Sequence, residues 1–284
     1  RMYTRGLHDK VMERFEPPES ASMPLDRLYL SAKQLCEQLR STLTDQAPHT
    51  AEMVLGQLVQ PAESERIQTA REANAELGAI TDASEEATIT SLGRVCLQLP
   101  IELRVARLVW LGCHWGAAAD AVLLAAILSS SDIFTNPSPL ATRDESLFVK
   151  RLQEATSSRM LFDGGQLSEP LMARQLVLEW LLEFHEAEWV WGNKDYIFRA
   201  RHRHTENFAW RFSLSKGRTQ HMISQVLDLA LRTLRICEPD SQIDGQLRGL
   251  IAGLGYTIDG QGDLSGIPRN SWEPFTLDGI FEED

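Results

Sequence analysis

From Leu25 onward apolar residues return at Leu28, Ala32, Leu35, Leu39 and Leu43, in steps of three and four, with Ser22 and Pro24 as start signals ahead of them. Such spacing gives a helix one apolar stripe, which it must bury against another element, so the chain is restricted to packed helices from its first regular segment. A second short helix is predicted from Thr50 to Leu58. A third starts at Pro61, carries Ile67, Ala70, Ala73 and Leu77, and stops at Gly78. The period then changes. Ala79-Ile80 and Thr88-Ile89 flank the polar stretch from Asp82 to Glu86, which predicts a small β-hairpin. Three helices followed by a hairpin is the winged-helix pattern.

Beyond Ser91-Leu92-Gly93 the period is helical again. Ile101, Val105, Leu108, Leu111 and Trp115 form one face, and Ala121 to Leu128 is apolar on all sides, as in a buried helix. The tract from Val105 to Leu128 is long enough to suggest a membrane span, but Arg107, His114 and Asp120 interrupt it and Gly112 and Gly116 break it, so two buried helices are expected. A linker rich in Pro and Ser runs from Thr135 to Ala141. Weaker helical spacing follows from Leu147 to Ala155, and Ser168 with Pro170 opens a strong helix carrying Leu171, Leu178, Leu181, Leu182, His185 and Trp189. The last long helix is predicted from Arg218 to Ile236, with Met222, Val226 and Leu229 inward. From Glu238 the texture shifts to Gly, Asp, Pro and scattered β-formers (Tyr256, Ile258, Ile267, Phe275, Ile280), the expected opening of a β-rich module or a tail.

The 284 residues, 43% apolar and 24% charged, are enough for about two globular domains and exclude general disorder. Their 28 basic and 40 acidic side chains leave a net charge of −12, so any nucleic-acid binding must come from a local basic patch. Cys36, Cys96, Cys113 and Cys237 lie far apart with no CxxC pair, which suggests neither a zinc ribbon nor a disulfide framework; a reducing intracellular compartment is expected. Nucleus, cytoplasm and mitochondrion are left open. No signal-peptide pattern opens the chain, and Arg1 in place of an initiator Met implies a piece of a longer protein.

Several stretches, in order, resemble the C-terminal half of a DEAH-box RNA helicase of the RNA helicase A type. Arg1-Met2-Tyr3-Thr4 is similar to the family's end of the second RecA-like domain, for which the short β-prone segment through Arg5 would be a last strand. Pro24-Leu25 through Lys33-Gln34-Leu35, then Leu58-Val59-Gln60-Pro61 and Ala75-Glu76-Leu77-Gly78-Ala79, resemble its winged helix. The most specific piece is Ile89-Thr90-Ser91-Leu92-Gly93-Arg94-Val95-Cys96-Leu97-Gln98-Leu99-Pro100, continuing through Arg104-Val105-Ala106-Arg107-Leu108 to Gly112, which resembles the entry into the helical ratchet domain. Leu128-Ser129, Asp132-Ile133-Phe134, Trp180 and Asn207-Phe208 before Leu214-Ser215 recur as in that ratchet, and Leu247 to Leu254 is similar to the helix leading into the family's OB-fold. Where the family usually has Pro-Pro this chain has Gln60-Pro61, and Ala209 to Ser213 is an unusual insertion.

The resemblance implies a mainly α chain: 1–20 as the end of a RecA-like domain with its connector, 21–93 as a winged-helix domain, 94–237 as a helical-bundle ratchet, and 238–284 as a linker with the start of an OB-like module. It implies an accessory region of an ATP-dependent RNA helicase, coupling NTPase cycles to grip and movement on single-stranded RNA. The alternative is a non-enzymatic helicase-derived scaffold in a ribonucleoprotein assembly. There is no G-x-x-x-x-G-K-S/T loop and no Asp-Glu-Ala-His quartet in the chain, so ATP and Mg²⁺ are expected in the N-terminal part of the parent and no cofactor, metal or catalytic residue in this stretch. Nor is there a nucleophile elbow that would point to a hydrolase.

The candidate RNA contacts are Arg199, Arg201, Arg203, Asn207, Phe208, Arg211, Lys216 and Arg218, interleaved with Tyr196, Phe198, Trp210 and Phe212 and with His202 and His204. Guanidinium groups grip phosphates and aromatic faces stack on unpaired bases, a combination suited to a single strand. The competing reading makes Phe208 and Trp210 core residues, the arginines a solvated or salt-bridged rim, and Asn207 a helix cap. His202-x-His204 invites a metal hypothesis with His221 and Cys237 as recruits, but its spacing suits a strand and no partnered pair completes a tetrahedral set, and Trp180, Trp189 and Trp191 fit a ratchet core better than a ligand cage. Asp120, inside an apolar helix, reads as a cap or a satisfied core carboxylate. Expected partners are single-stranded RNA, the RecA-like domains of the same protein, and a glycine-rich activator or a ribonucleoprotein complex, with no membrane. Tyr29 and Leu30, off the main stripe and beside the Ala47-Pro48-His49 corner, are read first as a contact for the RecA-like domain of the intact protein and second as a docking surface for the activator.

Overall fold

The helical periods become twelve helices and two short strands among the described residues, and the fold is mainly α. The computed structural model describes residues 3–12, 24–42, 50–58, 61–140, 142, 144–186, 194–239, 241–259 and 264–266. Two compact units divide the chain, Arg1–Leu97 and Gln98–Asp284.

In the first unit, α1 (Arg5–Lys10) starts where the Thr4 hydroxyl accepts the Leu7 amide at 3.3 Å. That cap corrects the expected strand: Arg5 is already helical, and Arg1 and Met2 lie outside the described residues. The next helices are α2 (Asp26–Thr42), α3 (Ala51–Gly56) and α4 (Ser64–Leu77). Thr50 caps α3 through the Met53 amide, and Gly78 ends α4 at φ 83°, a left-handed conformation that a Cβ disfavours. Asn74, fully buried, donates to the carbonyls of Ala70 and Asp26 and so ties α4 to the start of α2. The expected hairpin is a single antiparallel bridge, Ile80 with Ile89, because Asp82 folds the intervening residues into a tight turn by accepting the Ser84 amide at 2.7 Å. Helix α5 (Ser91–Gln98) presses on this bridge: a Cβ on Gly93 would stand 2.2 Å from the Ala79 carbonyl oxygen.

The buried face of α2 differs from the leucine stripe. Leu25, Tyr29, Leu30, Ala32, Lys33 and Cys36 are buried, whereas Leu28 and Leu35 are 39% and 42% exposed. Polar tips with partners explain the rotation. The Tyr29 hydroxyl donates to Glu52 at 3.3 Å, and the Lys33 ammonium donates to the Glu85 carbonyl at 2.8 Å, so both stems enter the core with their heads satisfied. Burial pushes the Tyr29 phenol up and the Lys33 ammonium down from their ordinary values. Tyr29 and Leu30 are fully buried within the first unit itself, so they form neither a docking surface nor a contact awaiting a RecA-like domain, and the Ala47-Pro48-His49 corner lies outside the described residues.

The second unit is built on α7 (Ala118–Leu128), whose Ala118, Ala119, Ala121, Val122, Leu123, Ala125 and Ala126 are all buried. Against it pack α6 (Leu103–His114), α9 (Glu169–Glu186), α11 (Lys216–Leu234) and α12 (Gln242–Gly253). Helix α6 turns Leu103, Ala106, Val109 and Gly112 inward, not the expected Val105, Leu108 and Trp115 face, and Trp115 is 78% exposed. Small residues decide this face, because only Gly112 lets the helices close: a Cβ there would lie 2.2 Å from that of Ala121.

Helix α8 (Glu145–Asp163), capped by Asp144, runs eight residues past the expected end at Ala155, burying Ala155, Ser158 and Phe162 on a sparse stripe. Asp120 of α7 forms a two-pronged ion pair with Arg174 of α9, at 2.5 and 3.1 Å, as a satisfied carboxylate. After α12, β1 (Tyr256–Ile258) pairs antiparallel with β2 (Leu264–Gly266), Tyr256 opposite Gly266. Among the described residues no helix is long and apolar enough to cross a membrane.

Candidate nucleic-acid interface

Helix α10 (Lys194–Arg211) carries most of the candidate residues, and the helical repeat sorts them. Ile197, Ala200, Arg201, His204, Thr205, Phe208 and Ala209 face inward, while Arg199, Arg203, Asn207 and Trp210 form an outward stripe at steps of four, four and three. Glu206 lies beside that stripe.

The inward row is structural. His204 is buried against Trp180 and Phe184, with ring centroids at 5.1 and 5.4 Å, and a carbonyl can only accept, so its Nε2–H donates to the Trp180 carbonyl at 3.2 Å. Burial lowers its pKa more than the Trp180 hydrogen bond and Glu183 raise it. Phe208 packs at a tilt against Phe212, with ring centroids 4.8 Å apart, and Phe212 meets Phe162 of α8 edge-on. Arg201, 4% exposed, lies between the Phe198 and Tyr256 rings at 5.9 and 5.5 Å, and its Nη1 has no hydrogen-bond partner. Desolvation lowers its pKa, partly opposed by Tyr256. Arg201 and Phe208 are thus withdrawn from the surface, because on a helix residues 201, 204/205 and 208 share a face that packing claims first.

Three more candidates are exposed but engaged. Arg211 pairs with Glu183 and lies over the Phe212 ring at 4.6 Å. Lys216 pairs with Glu206 at 2.7 Å, and Arg218 donates to the Asp132 carbonyl. Ser213, at φ 56°, makes the tight corner that brings the start of α11 beside the end of α10; the flanking strand-like pair Phe134–Leu214 fixes it. Arg199, Arg203 and Asn207 carry no protein partner among the described residues. His202, half-buried, has its pKa lowered first by burial and then by the Arg201 and Lys216 charges.

Helical geometry also separates His202 from His204: the first is half-buried beside α11, where the Gln220 side chain donates to its carbonyl, and the second is sealed against α9. Among the described residues no group of His, Cys, Asp and Glu could hold a metal ion. Trp180 is fully buried and stacked on Phe184, while Trp189 and Trp191 lie outside the described residues, as does the side chain of Tyr196.

One feature of the site had no sequence signal. Trp210, 87% exposed, stands at the rim of an open groove of about 810 Å³ whose other wall is α8, with Lys150, Gln153, Ser157 and Leu161. A spacing rule cannot pair Trp210 with residues more than forty positions away; only the presence of the tryptophan, not its exposure, was legible.

Three relatives share part of this chain. A Mycosarcoma maydis protein named as a DEAH-box ATP-dependent helicase is 27% identical over 180 residues, 63% of the chain and 10% of that protein. The ATP-dependent RNA helicase ucp12 of Schizosaccharomyces pombe is 26% identical over 164 residues, 58% of the chain and 12% of its own length. These similarities support a helicase relationship. The Aedes aegypti ATP-dependent RNA helicase spindle-E is 25% identical over 142 residues, 48% of the chain and 10% of its length. The chain spans about a tenth of the length of the relatives it matches. No protein-family model matches it.

Proposed function

We propose that the chain is an accessory region of an ATP-dependent DEAH-type RNA helicase that grips single-stranded RNA along the outward face of α10. The observation that carries this reading is the outward stripe of Arg199, Arg203, Asn207 and Trp210, in which the two arginines and the asparagine carry no protein partner among the described residues. Successive turns of a helix present these side chains about 5–6 Å apart, so two guanidiniums meet successive phosphates, the Asn207 amide meets a base edge or ribose, and the Trp210 indole stacks on an unpaired base. The helicase names of the relatives support RNA as the partner.

In this reading residues 21–93 form a winged helix, 94–237 a ratchet, and α12 with β1 and β2 opens an OB-like module. ATP and Mg²⁺ are held elsewhere in the longer protein, whose RecA-like domains are the intramolecular partners. The test is Arg199→Glu with Arg203→Glu in the longer protein. RNA affinity and RNA-stimulated ATP hydrolysis fall about tenfold or more, while basal hydrolysis and melting temperature stay unchanged. Unaltered RNA affinity would overturn the assignment of this face, and absence of any ATP hydrolysis by the longer wild-type protein would favour the scaffold reading.

A further inference from the structure

The open groove between α8 and the end of α10 has two unlike walls. Trp210 and Phe212 make one of them aromatic, and Phe212 meets Phe162 of α8 with ring centroids 4.9 Å apart, which holds the walls together. The other wall is a stripe of α8. Lys150, Gln153, Glu154, Ser157 and Leu161 recur at steps of three and four residues and cover about 16 Å of the helix axis.

The polar tips of this stripe are unused. Lys150, Gln153, the Glu154 carboxylate and the Ser157 hydroxyl have no protein partner among the described residues. The hydroxyls on either side turn back on the helix, Thr156 donating to the Leu152 carbonyl at 2.8 Å and Ser158 to the Glu154 carbonyl at 3.0 Å. A polar stripe facing bulk water is ordinary, but this one faces an indole that is itself 87% exposed. Trp210 also ends the outward row of Arg199, Arg203 and Asn207, so a strand held along α10 delivers its next base to the groove.

We propose that the groove reads that base, selecting adenine or cytosine over uracil; this rests on the assignment of the α10 face to single-stranded RNA. The base stacks on the Trp210 indole beside Leu161, and its edge meets Ser157, Gln153 and Glu154. A carboxylate has no proton to give, so Glu154 accepts from the amino group on N6 of adenine or N4 of cytosine. The Gln153 amide and Ser157 hydroxyl, which both donate and accept, take the neighbouring ring nitrogen. Uracil puts a carbonyl oxygen where the other two bases carry the amino group, and two acceptors facing each other leave both unpaired. Lys150, at the far end of the stripe, meets a phosphate farther along the strand.

The test is fluorescence anisotropy at neutral pH, with the longer protein and single-stranded RNA dodecamers of adenine, cytosine or uracil alone. The adenine and cytosine strands bind about tenfold tighter than the uracil strand. Gln153→Ala with Glu154→Ala narrows the ratio to under about twofold; both side chains are exposed on α8 and alanine favours a helix, so the melting temperature is unchanged. Glu154→Gln, whose amide can donate to a carbonyl oxygen, raises affinity for the uracil strand. Arg199→Glu with Arg203→Glu weakens all three strands by one factor and keeps the ratio, which separates grip from base reading. Equal binding of the three strands by the wild type, or a ratio that survives Gln153→Ala with Glu154→Ala, would overturn base reading and leave the α10 grip standing. Affinity indifferent to the arginine pair would overturn both. A protein partner lost in Trp210→Ala, with the three strands bound equally, would assign the groove to a polypeptide instead.

Discussion

The Arg201 guanidinium lies 5.5 Å from the centre of the Tyr256 ring, joining the inward face of α10 to the first strand after α12. This charge is buried with two aromatic faces and no carboxylate, so it contributes as a packed cation rather than as a surface hook. Arg201→Glu places an acid in the same site and lowers stability by about 2–4 kcal/mol. Arg201→Met keeps the stem volume and removes the unpaired Nη1, leaving stability within about 1 kcal/mol of wild type. Thermal melts of the two variants check this pair of outcomes, and equal destabilisation would mean the guanidinium itself is indispensable.

Lowering pH should destabilise the second unit through His204. Its pKa in the folded protein lies below the ordinary 6.5, so the unfolded chain binds the proton more readily. The stability this neutral imidazole contributes is complete above about pH 6.5 and is lost as pH falls through the depressed folded value. Half-buried His202 shifts in the same direction and adds to the slope. Denaturant melts between pH 7.5 and 5.5 read the effect, and His204→Gln flattens part of the dependence.

Gly93→Ala should be among the most damaging single-methyl additions to the first unit. The new Cβ meets the Ala79 carbonyl oxygen, a backbone atom held by the Thr90 amide at 3.0 Å, and cannot be relieved by a side-chain rotation. A loss of about 2–4 kcal/mol is expected. Gly56→Ala has open space around its Cβ and serves as the control, changing stability by under about 1 kcal/mol. Circular dichroism melts of the two variants give the comparison.

Trp210→Ala should weaken single-stranded RNA binding by about 1–3 kcal/mol without changing the salt dependence, since stacking releases no counterions. Arg203→Glu should instead make the dependence of log affinity on log salt shallower by about 0.7 for the phosphate contact removed. Fluorescence anisotropy with an oligonucleotide at several salt concentrations separates the two. Identical slopes for Arg203→Glu and wild type would place the phosphates elsewhere.

Much of the local structure was legible because it depends on near neighbours in the chain. Gly78 had to end α4, since its left-handed φ suits glycine, and the shift of period at Ala79 marked the end of helical packing in the first unit. The basic and aromatic composition of 196–218 marked α10 as the surface to inspect. Facing was harder to read: a leucine count on α2 favours Leu28 and Leu35, and only the partners Glu52 and Glu85, more than twenty positions away, draw Tyr29 and Lys33 inward.

Several helix positions and stops and the net charge of −12 therefore follow from the sequence itself, because propensity, capping and composition act over one or two turns, whereas the helices at Arg5–Lys10 and Lys194–Arg211 were not read from it. Tertiary packing alone decided that Arg201 belongs to the core while Arg199 and Arg203 face outward, and that Tyr29 and Lys33 turn inward on α2. Both outcomes depend on which distant element covers each face, and burial assigns that cover by fitting volumes and satisfying polar tips together, which no local spacing encodes.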